Sequence, residues 1–145
     1  MTKTLDTAGA RAADLDRIVS LLSEADLPTA GVAEVLDSFL VIRDRGLVVA
    51  AGVVERHGED GLLRSIVVDP ANQGLGLGKQ IASALIASEN RDLYLLTETA
   101  ESFFTRLGFE LIPRTEAPAA LRASEEFRCL CPESASFMRR SVESV

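Results

Sequence analysis

The chain has 145 residues, a length typical of one domain, and its 47% hydrophobic and 26% charged residues suit a globular protein with a sizeable core. The net charge of −7 and the scattered basic residues argue against a nucleic-acid partner. No apolar run reaches the length of a membrane span, and the first residues carry no secretory hydrophobic segment. We therefore expect no membrane partner and a cytoplasmic location. Two cysteines are too few for a disulfide framework.

The first half of the chain predicts two helices and an antiparallel arrangement of strands. Asp14 is expected to cap a helix with an apolar face, which ends before Leu27-Pro28. A second, shorter helix is expected at 32–37. Turn signals at 44–46 and 58–61 separate apolar runs and indicate hairpins. The strands predicted here are 3–7, 39–43, 47–55 and 62–68.

The second half predicts a helix that follows a glycine-rich loop and ends near Ser88, with a strand at 93–97 after it. Thr99 is expected to cap a further helix through Leu107, with Gly108 in the left-handed conformation behind it. Strands are expected at 109–112 and 126–130, on either side of a Pro/Ala stretch. The order of elements, without repeats or linkers, indicates a single α+β domain over residues 1–145.

The most informative segment is the glycine loop, residues 73–79, between the predicted strand 62–68 and the helix after it. Such a junction leaves backbone N–H groups unpaired at the helix N-terminus, where anions are favoured. A P-loop is excluded because Gln occupies both position 73 and position 80, where the motif needs Gly and Ser or Thr. A dinucleotide fingerprint is excluded because Lys79 and Ile81 stand where its last glycine is required. An ordinary glycine-rich connection remains the alternative to a phosphate cradle.

Two motifs resemble the GNAT acetyltransferases. Gln73-x-x-Gly76-x-Gly78 is similar to the Gln/Arg-x-x-Gly-x-Gly/Ala signature that wraps the pyrophosphate of acetyl-coenzyme A. The segment from Ala100 to Phe109 resembles the family's Ala-x-x-Phe-Tyr-x-x-x-Gly-Phe block, with Phe104 in the tyrosine position. The resemblance implies the three-layer GNAT fold, a mixed and mostly antiparallel sheet of six to seven strands with about four helices.

Three further segments, at 63–69, 95–104 and 126–132, look like the small acetyltransferases of arsenic-resistance operons. The middle segment also resembles the acetyltransferase domain of N-acetylglutamate synthase. These resemblances imply an N-acetyltransferase that passes acetyl directly, in a ternary complex, to a small amino acid or amino-acid-like amine, an arsenical or phosphinate antimetabolite included. A non-catalytic acyl-coenzyme A sensor or interaction module is the alternative, and protein N-terminal acetylation is a third interpretation.

The resemblance implies that acetyl-coenzyme A is the co-substrate. It also implies that the cofactor binds to a strand, the glycine loop and one aromatic side chain. The backbones of Ile66 and Val68 are expected to pair with the pantetheine arm, and the loop amides are expected to hold the pyrophosphate. The cofactor-binding residues predicted in this way are Ile66, Val67, Val68, Gln73, Gly74, Leu75, Gly76, Leu77, Gly78, Lys79 and Phe103.

Glu98 and Glu55 are the candidates for a catalytic base acting through water. The alternative interpretation of each is a solvated surface carboxylate. Arg64 lies within an apolar run, where it serves either as a two-point clamp for a substrate carboxylate or as half of a salt bridge. Thr97 and Thr99 offer hydroxyls to the substrate or the cofactor, with strand-end packing and helix capping as alternatives.

The remaining reactive side chains carry no assignment. The single histidine, His57, precedes a turn and is expected at the surface. Cys129 and Cys131 are interpreted as ordinary semi-buried thiols, because two ligands make an incomplete soft-metal site. No metal is expected, and the sequence leaves a homodimer open.

Overall fold

In a computed structural model, which describes residues 5–123 and 135–142, the chain forms a seven-stranded mixed sheet. The strands are β1 (Thr7–Gly9), β2 (Leu40–Asp44), β3 (Leu47–His57), β4 (Asp60–Val68), β5 (Leu93–Thr97), β6 (Glu110–Leu111) and β7 (Ser136–Arg140). Their order in the sheet is β1-β2-β3-β4-β5-β7-β6. Strands β4 and β5 pair in parallel, whereas β1 with β2, β2 with β3, β5 with β7 and β6 with β7 pair antiparallel. The predicted mixed sheet is confirmed.

Helices connect the strands at the points that the sequence indicates. The α-helices in the described part are α1 (Leu15–Glu24), α2 (Leu77–Ala87), α3 (Glu101–Thr105) and α4 (Ala119–Arg122). Short 3₁₀ helices occupy Ala12–Asp14, Ala33–Ser38, Pro70–Asn72 and Arg114–Glu116. The helix expected at 32–37 is therefore a 3₁₀ helix.

The chain divides into two compact units that share strands β3 and β4. The first comprises Met1–Val54 and Ser65–Ser88. Its core is formed by the apolar face of α1 against β2, β3 and β4, as the 3.6-residue periodicity predicts. The buried core residues are Ile18, Leu21, Leu22, Val32, Phe39, Val41, Val48, Ala51, Val53 and Val67.

The second unit comprises Glu55–Arg64 and Glu89–Val145. Its core contains the stacked rings of Tyr94 and Phe137, whose centroids lie 5.6 Å apart. Leu62, Ala117 and Leu121 complete this cluster. Strand β7 lies between β5 and β6 in the sheet, so the last described strand is internal.

Several boundaries differ from the expectation. Strand β1 begins at Thr7, where the expected strand ends, and the strand expected at 109–112 contains only Glu110–Leu111. Asp14 occupies the N-cap position of α1, but its side chain makes no capping hydrogen bond there. Its carboxylate accepts the N–H of Arg11 at 2.7 Å and binds the Arg43 guanidinium instead. The strand expected at 126–130 lies outside the described residues.

Candidate active site

The connection from β4 to the glycine loop begins at Asp69, which several hydrogen bonds hold in place. Its backbone N–H donates to the carbonyl oxygen of Val49 at 2.8 Å, and its carboxylate accepts the N–H of Ala71 at 3.0 Å. The guanidinium of Arg17 in α1 binds the same carboxylate and also donates to the carbonyl of Val48 at 3.0 Å. Asp69 thus joins β4, β3 and α1. Sequence reasoning did not identify Arg17, since nothing local pairs it with Asp69.

Two glycines give the loop its shape. Gly74 and Gly76 have φ values of +85° and +80°, a region that side-chain-bearing residues rarely adopt, and Gly76 is the N-cap of α2. A Cβ built on either residue would meet no atom within 4 Å. Residues 73–76 are exposed. The glycines are therefore required by the backbone conformation, and the space beside them is open to a ligand.

Unpaired amides gather at the start of α2. The first hydrogen bond of the helix runs from the N–H of Gln80 to the carbonyl of Gly76 at 3.0 Å. The amides of Leu77, Gly78 and Lys79 therefore precede the helical ladder, at the end where the helix dipole favours an anion. The anion cradle expected from the sequence requires such amides at the start of a helix.

The side chain of Gln80 fixes this helix in place. Its Nε2 donates to the carbonyl of Leu5 at 2.7 Å and contacts the hydroxyl of Thr7 in β1 at 3.1 Å. The residue that stands where a P-loop has a metal-binding hydroxyl therefore has a structural function.

The end of β4 bears a conformational irregularity. Ser65 has a φ of +60° within the strand, which interrupts its regular extended backbone. Beyond it, Ile66 and Val68 are half-buried and Val67 is buried.

Glu55, His57 and Arg64 form a cluster, here called the β3–β4 charge cluster. The Oε2 of Glu55 lies 3.0 Å from Nη1 of Arg64, and its Oε1 lies 2.7 Å from Nε2 of His57. The Arg64 side chain is 4% exposed, and those of Glu55 and His57 are 18% and 19% exposed. His57 and Glu55 are thus half-buried, and neither side chain is fully exposed. Arg64 forms a salt bridge with Glu55, which is one of the two functions expected for it from the sequence.

The end of β5 presents a different environment. Glu98 and Thr99 are exposed, and Thr97 is half-buried. Thr99 does not cap α3, whose N-cap is Ala100. The hydroxyl of Thr97 accepts the Ala100 N–H at 3.0 Å instead. The N-cap position of α3 is thus one residue later than predicted, and no side chain caps the helix.

Helix α3 carries a packed group of aromatic rings. Phe104 is buried, and its ring makes edge contacts with Phe103 at 5.0 Å and with Phe109 at 5.8 Å between centroids. Gly108 has a φ of +96°, which confirms the left-handed conformation expected after the helix. Phe103 is half-buried.

The predicted site residues fall into the two units. The glycine loop and the end of β4 belong to the first, whereas the β3–β4 charge cluster, the end of β5 and α3 belong to the second. Within the described ranges, no group of three or more His, Cys, Asp or Glu side chains could hold a metal ion. Cys129 and Cys131 lie outside those ranges. No helix of the described part is long and apolar enough to cross a bilayer.

Comparison with known families decides the classification. A model of the acetyltransferase (GNAT) domain matches residues 36–111, just over half of the chain. The chain belongs to the GNAT acetyltransferase family. The match includes the glycine loop and the Phe103-Phe104 pair, the two segments that carry the resemblance in the sequence. The comparison with curated protein sequences gives no significant match.

Solved structures share the GNAT fold over nearly the whole chain. N-acetylglutamate synthase from Neisseria gonorrhoeae, complexed with coenzyme A and N-acetyl-glutamate, has a TM-score of 0.81 at 15% identity, covering 98% of this chain and 36% of the synthase. This GNAT chain thus spans about a third of the synthase. A Mycobacterium tuberculosis protein (Rv2747), solved with coenzyme A and a second ligand, has a TM-score of 0.80 at 24% identity, covering 94% and 98% of the two chains. A GNAT acetyltransferase from Staphylococcus aureus has a TM-score of 0.76 at 15% identity, covering 97% and 100%. At these identities the similarity shows a common fold.

Proposed function

We propose that this acetyltransferase transfers acetyl from acetyl-coenzyme A to the amino group of a small amino acid or amino-acid-like compound. The geometry of the glycine loop is the observation that carries the proposal. Two left-handed glycines, open space beside them and three amides ahead of the helical ladder suit a pyrophosphate. Two of the structurally similar proteins were solved with coenzyme A, which supports this choice of co-substrate.

The pyrophosphate is held by backbone amides of residues 73–79, and the pantetheine arm extends along Ile66, Val67 and Val68. The backbone of Ser65, with a φ of +60°, supports this assignment, because such strained conformations cluster at active sites and ligand-binding sites. Phe103 is half-buried and offers an apolar face to the cofactor.

Transfer to an amine requires a neutral nucleophile and a leaving thiolate. Phe104 has no proton to give, and a thiol with a pKa of about 8.5 leaves as a thiolate without much assistance. Glu98 is the better base, acting through water, because it is exposed and has no hydrogen-bond partner among the described residues. Both carboxylate oxygens of Glu55 are already engaged, one by Arg64 and one by His57, which makes Glu55 less available to a water molecule.

The acceptor is bound through its carboxylate. Arg64 is the clamp, since a guanidinium binds a carboxylate at two points, and Thr97 and Thr99 contribute hydroxyls at the end of β5. The Neisseria synthase was solved with N-acetyl-glutamate, which supports an amino-acid acceptor. Arsenical and phosphinate amino-acid mimics belong to the same chemical class, because each joins an amine to an anionic group.

A non-catalytic acyl-coenzyme A sensor is the second candidate. The observation that favours it is the burial of Phe104 among aromatic rings, at the position where many family members have a tyrosine.

A thiol-release assay separates these functions. The protein is supplied with acetyl-coenzyme A and a panel of amino acids, arsenical and phosphinate mimics, polyamines and short peptides. We expect coenzyme A to be released with one or more carboxylate-bearing small amines. Cofactor binding without turnover of any acceptor would establish the sensor, and turnover of peptides alone would establish protein N-terminal acetylation.

A further inference from the structure

We propose that Arg17 is a positioning residue for acetyl-coenzyme A. It acts through Asp69, whose carboxylate it holds, and thereby keeps the glycine loop in the conformation that binds the pyrophosphate. The inference rests on the proposed function, because it takes the loop as the pyrophosphate site. The function assigned to Arg17 concerns the affinity for the cofactor and not the chemistry of acetyl transfer.

The guanidinium of Arg17 joins β3 to the end of β4. Its Nε donates to the carbonyl of Val48 in β3 at 3.0 Å, and its Nη2 binds Oδ2 of Asp69. The side chains of Arg17 and Asp69 are 26% and 21% exposed, so both are partly shielded from water. Two contacts from one planar group fix its orientation. These residues belong to the first unit, as does the glycine loop.

The other carboxylate oxygen of Asp69 carries this restraint towards the loop. Oδ1 accepts the N–H of Ala71 at 3.0 Å, inside the 3₁₀ turn Pro70–Asn72. Gln73, the first residue of the loop, is the C-cap of this turn. An Asp69 side chain that rotates away loses the contact with Ala71 and loosens the turn. Arg17 restricts this rotation because it holds the second oxygen.

The loop depends on this restraint because its middle makes few hydrogen bonds. In the described part of the chain, the N–H groups of Gly74 and Leu75 donate no hydrogen bond, and both residues are exposed. The loop is therefore fixed at its two ends, by the turn after Asp69 and by the first helical hydrogen bond of α2. If the first end loosens, the amides occupy a wider range of positions, and cofactor binding must restrict them again.

The ion pair also controls the charge that precedes the loop. A pyrophosphate is strongly anionic, and an unpaired carboxylate nearby weakens its binding by repulsion. Arg17 neutralises the Asp69 carboxylate, so the loss of Arg17 leaves a negative charge there. The loosened turn and the unpaired charge act in the same direction, since both lower the affinity for the cofactor.

Calorimetric titration of coenzyme A into the wild type, Arg17→Met, Asp69→Ala and the double variant tests the proposal. We expect Arg17→Met to raise the Kd for coenzyme A about tenfold, a loss comparable to that of one hydrogen bond to a charged group. In the Asp69→Ala background, the same substitution should change the Kd by less than about twofold, because Arg17 then has no carboxylate to hold. Arg17→Gln, which still donates hydrogen bonds but carries no charge, should give a smaller increase than Arg17→Met.

Arg43→Met is the matched control. Arg43 binds Asp14 in the same unit, with side chains 15% and 11% exposed, so this substitution also breaks a partly buried ion pair. We expect Arg43→Met to destabilise the fold in urea unfolding while it keeps the wild-type Kd for coenzyme A. An equal rise of the Kd in Arg43→Met and Arg17→Met would show a general effect of lost stability and would overturn the inference.

Failure of the proposed function and failure of this inference give different results. A folded wild type that does not bind coenzyme A overturns the cofactor assignment and the inference with it. Coenzyme A binding by the wild type with an unchanged Kd in Arg17→Met overturns the inference alone, as do additive effects of the Arg17 and Asp69 substitutions. If circular dichroism shows that Arg17→Met does not fold, Arg17→Gln decides, and a wild-type Kd in that variant contradicts the inference.

Discussion

Asp14 shows how one carboxylate can join three segments of the chain. It accepts the Arg11 N–H in front of α1 and binds Arg43 in β2, whose guanidinium also donates to the carbonyl of Gly9 at 3.3 Å. Burial by itself would raise the pKa of Asp14. The hydrogen bond and charge of Arg43, together with the Arg11 N–H, outweigh burial and lower the pKa below its ordinary value of 3.8. Folding therefore stabilises the ionised form of the Asp14 carboxyl group.

A depressed pKa in the folded state stabilises the protein above the unfolded-state pKa, and this contribution is lost as the pH falls through the folded-state pKa. We expect Asp14→Asn to lower the free energy of unfolding by about 2 kcal/mol at neutral pH. The deficit should shrink below about pH 4. Urea unfolding at several pH values measures it, with the exposed Asp37→Asn as the control. An equal deficit at every pH would show that Asp14 acts by packing rather than by its charge.

At the scale of elements, the close approach of α2 to β3 depends on Gly52. A Cβ built there would lie 2.5 Å from Cδ1 of Ile66 and 2.7 Å from Cγ2 of Ile81, with Leu85 at 3.1 Å. Such distances are shorter than carbon atoms tolerate, so the side chains of Ile66 in β4 and Ile81 in α2 must move. The same helix presents the loop amides at its N-terminus.

We expect Gly52→Ala to destabilise the fold by about 1–3 kcal/mol, because the added methyl overpacks the core. Adding Ile66→Val should recover part of this loss, since it removes the Cδ1 atom nearest to the new methyl. Thermal unfolding measures both variants. Gly9→Ala in β1 is the matched control, because a Cβ there meets no atom within 4 Å. Equal stability of Gly52→Ala and Gly9→Ala would contradict the close packing.

Elements with a strong local signal could be predicted from the sequence. Helix α1 follows its apolar periodicity, β5 has the expected bounds, and the turn before β3 has left-handed Arg45 and Gly46, as a two-residue hairpin requires. Strand β7 was missed because Phe137 and Met138 are both buried, so the two-residue alternation of a half-buried strand is absent.

The site was predictable to the extent that it depends on local backbone. The loop glycines appear in the sequence as a motif with its spacing, whereas the Glu55–His57–Arg64 cluster depends on contacts between two strands. The only local signal for His57 was its two-residue separation from Glu55. A salt bridge such as that of Arg17 with Asp69 joins residues far apart in the chain, and no sequence pattern indicates it.

At the scale of the whole molecule, we propose that the chain folds as one domain. The chain passes from the first unit to the second at Glu55 within β3 and returns at Ser65 within β4, so each of these strands belongs to both units. An unfolded second unit would leave both strands incomplete.

We therefore expect a single cooperative unfolding transition. Tyr94 is the only tyrosine and the chain has no tryptophan, so its fluorescence reports on the second unit alone. Among the described helices, α1 and α2 of the first unit are the longest and contribute most to the helical circular dichroism. Coincident denaturation curves from the two signals are predicted, and two separated midpoints would refute a one-domain chain.

The binding of acetyl-coenzyme A at the glycine loop is the central claim, and calorimetric titration of the cofactor tests it most directly. Gly76→Trp and Gly46→Trp form a matched pair, since both residues have a φ near +80° and open space beside them, but Gly46 lies in the β2–β3 turn. Both substitutions therefore carry a similar backbone strain of about 1–3 kcal/mol. We predict that Gly46→Trp binds the cofactor as the wild type does and that Gly76→Trp shows no measurable binding. Wild-type affinity in a folded Gly76→Trp variant would contradict the account.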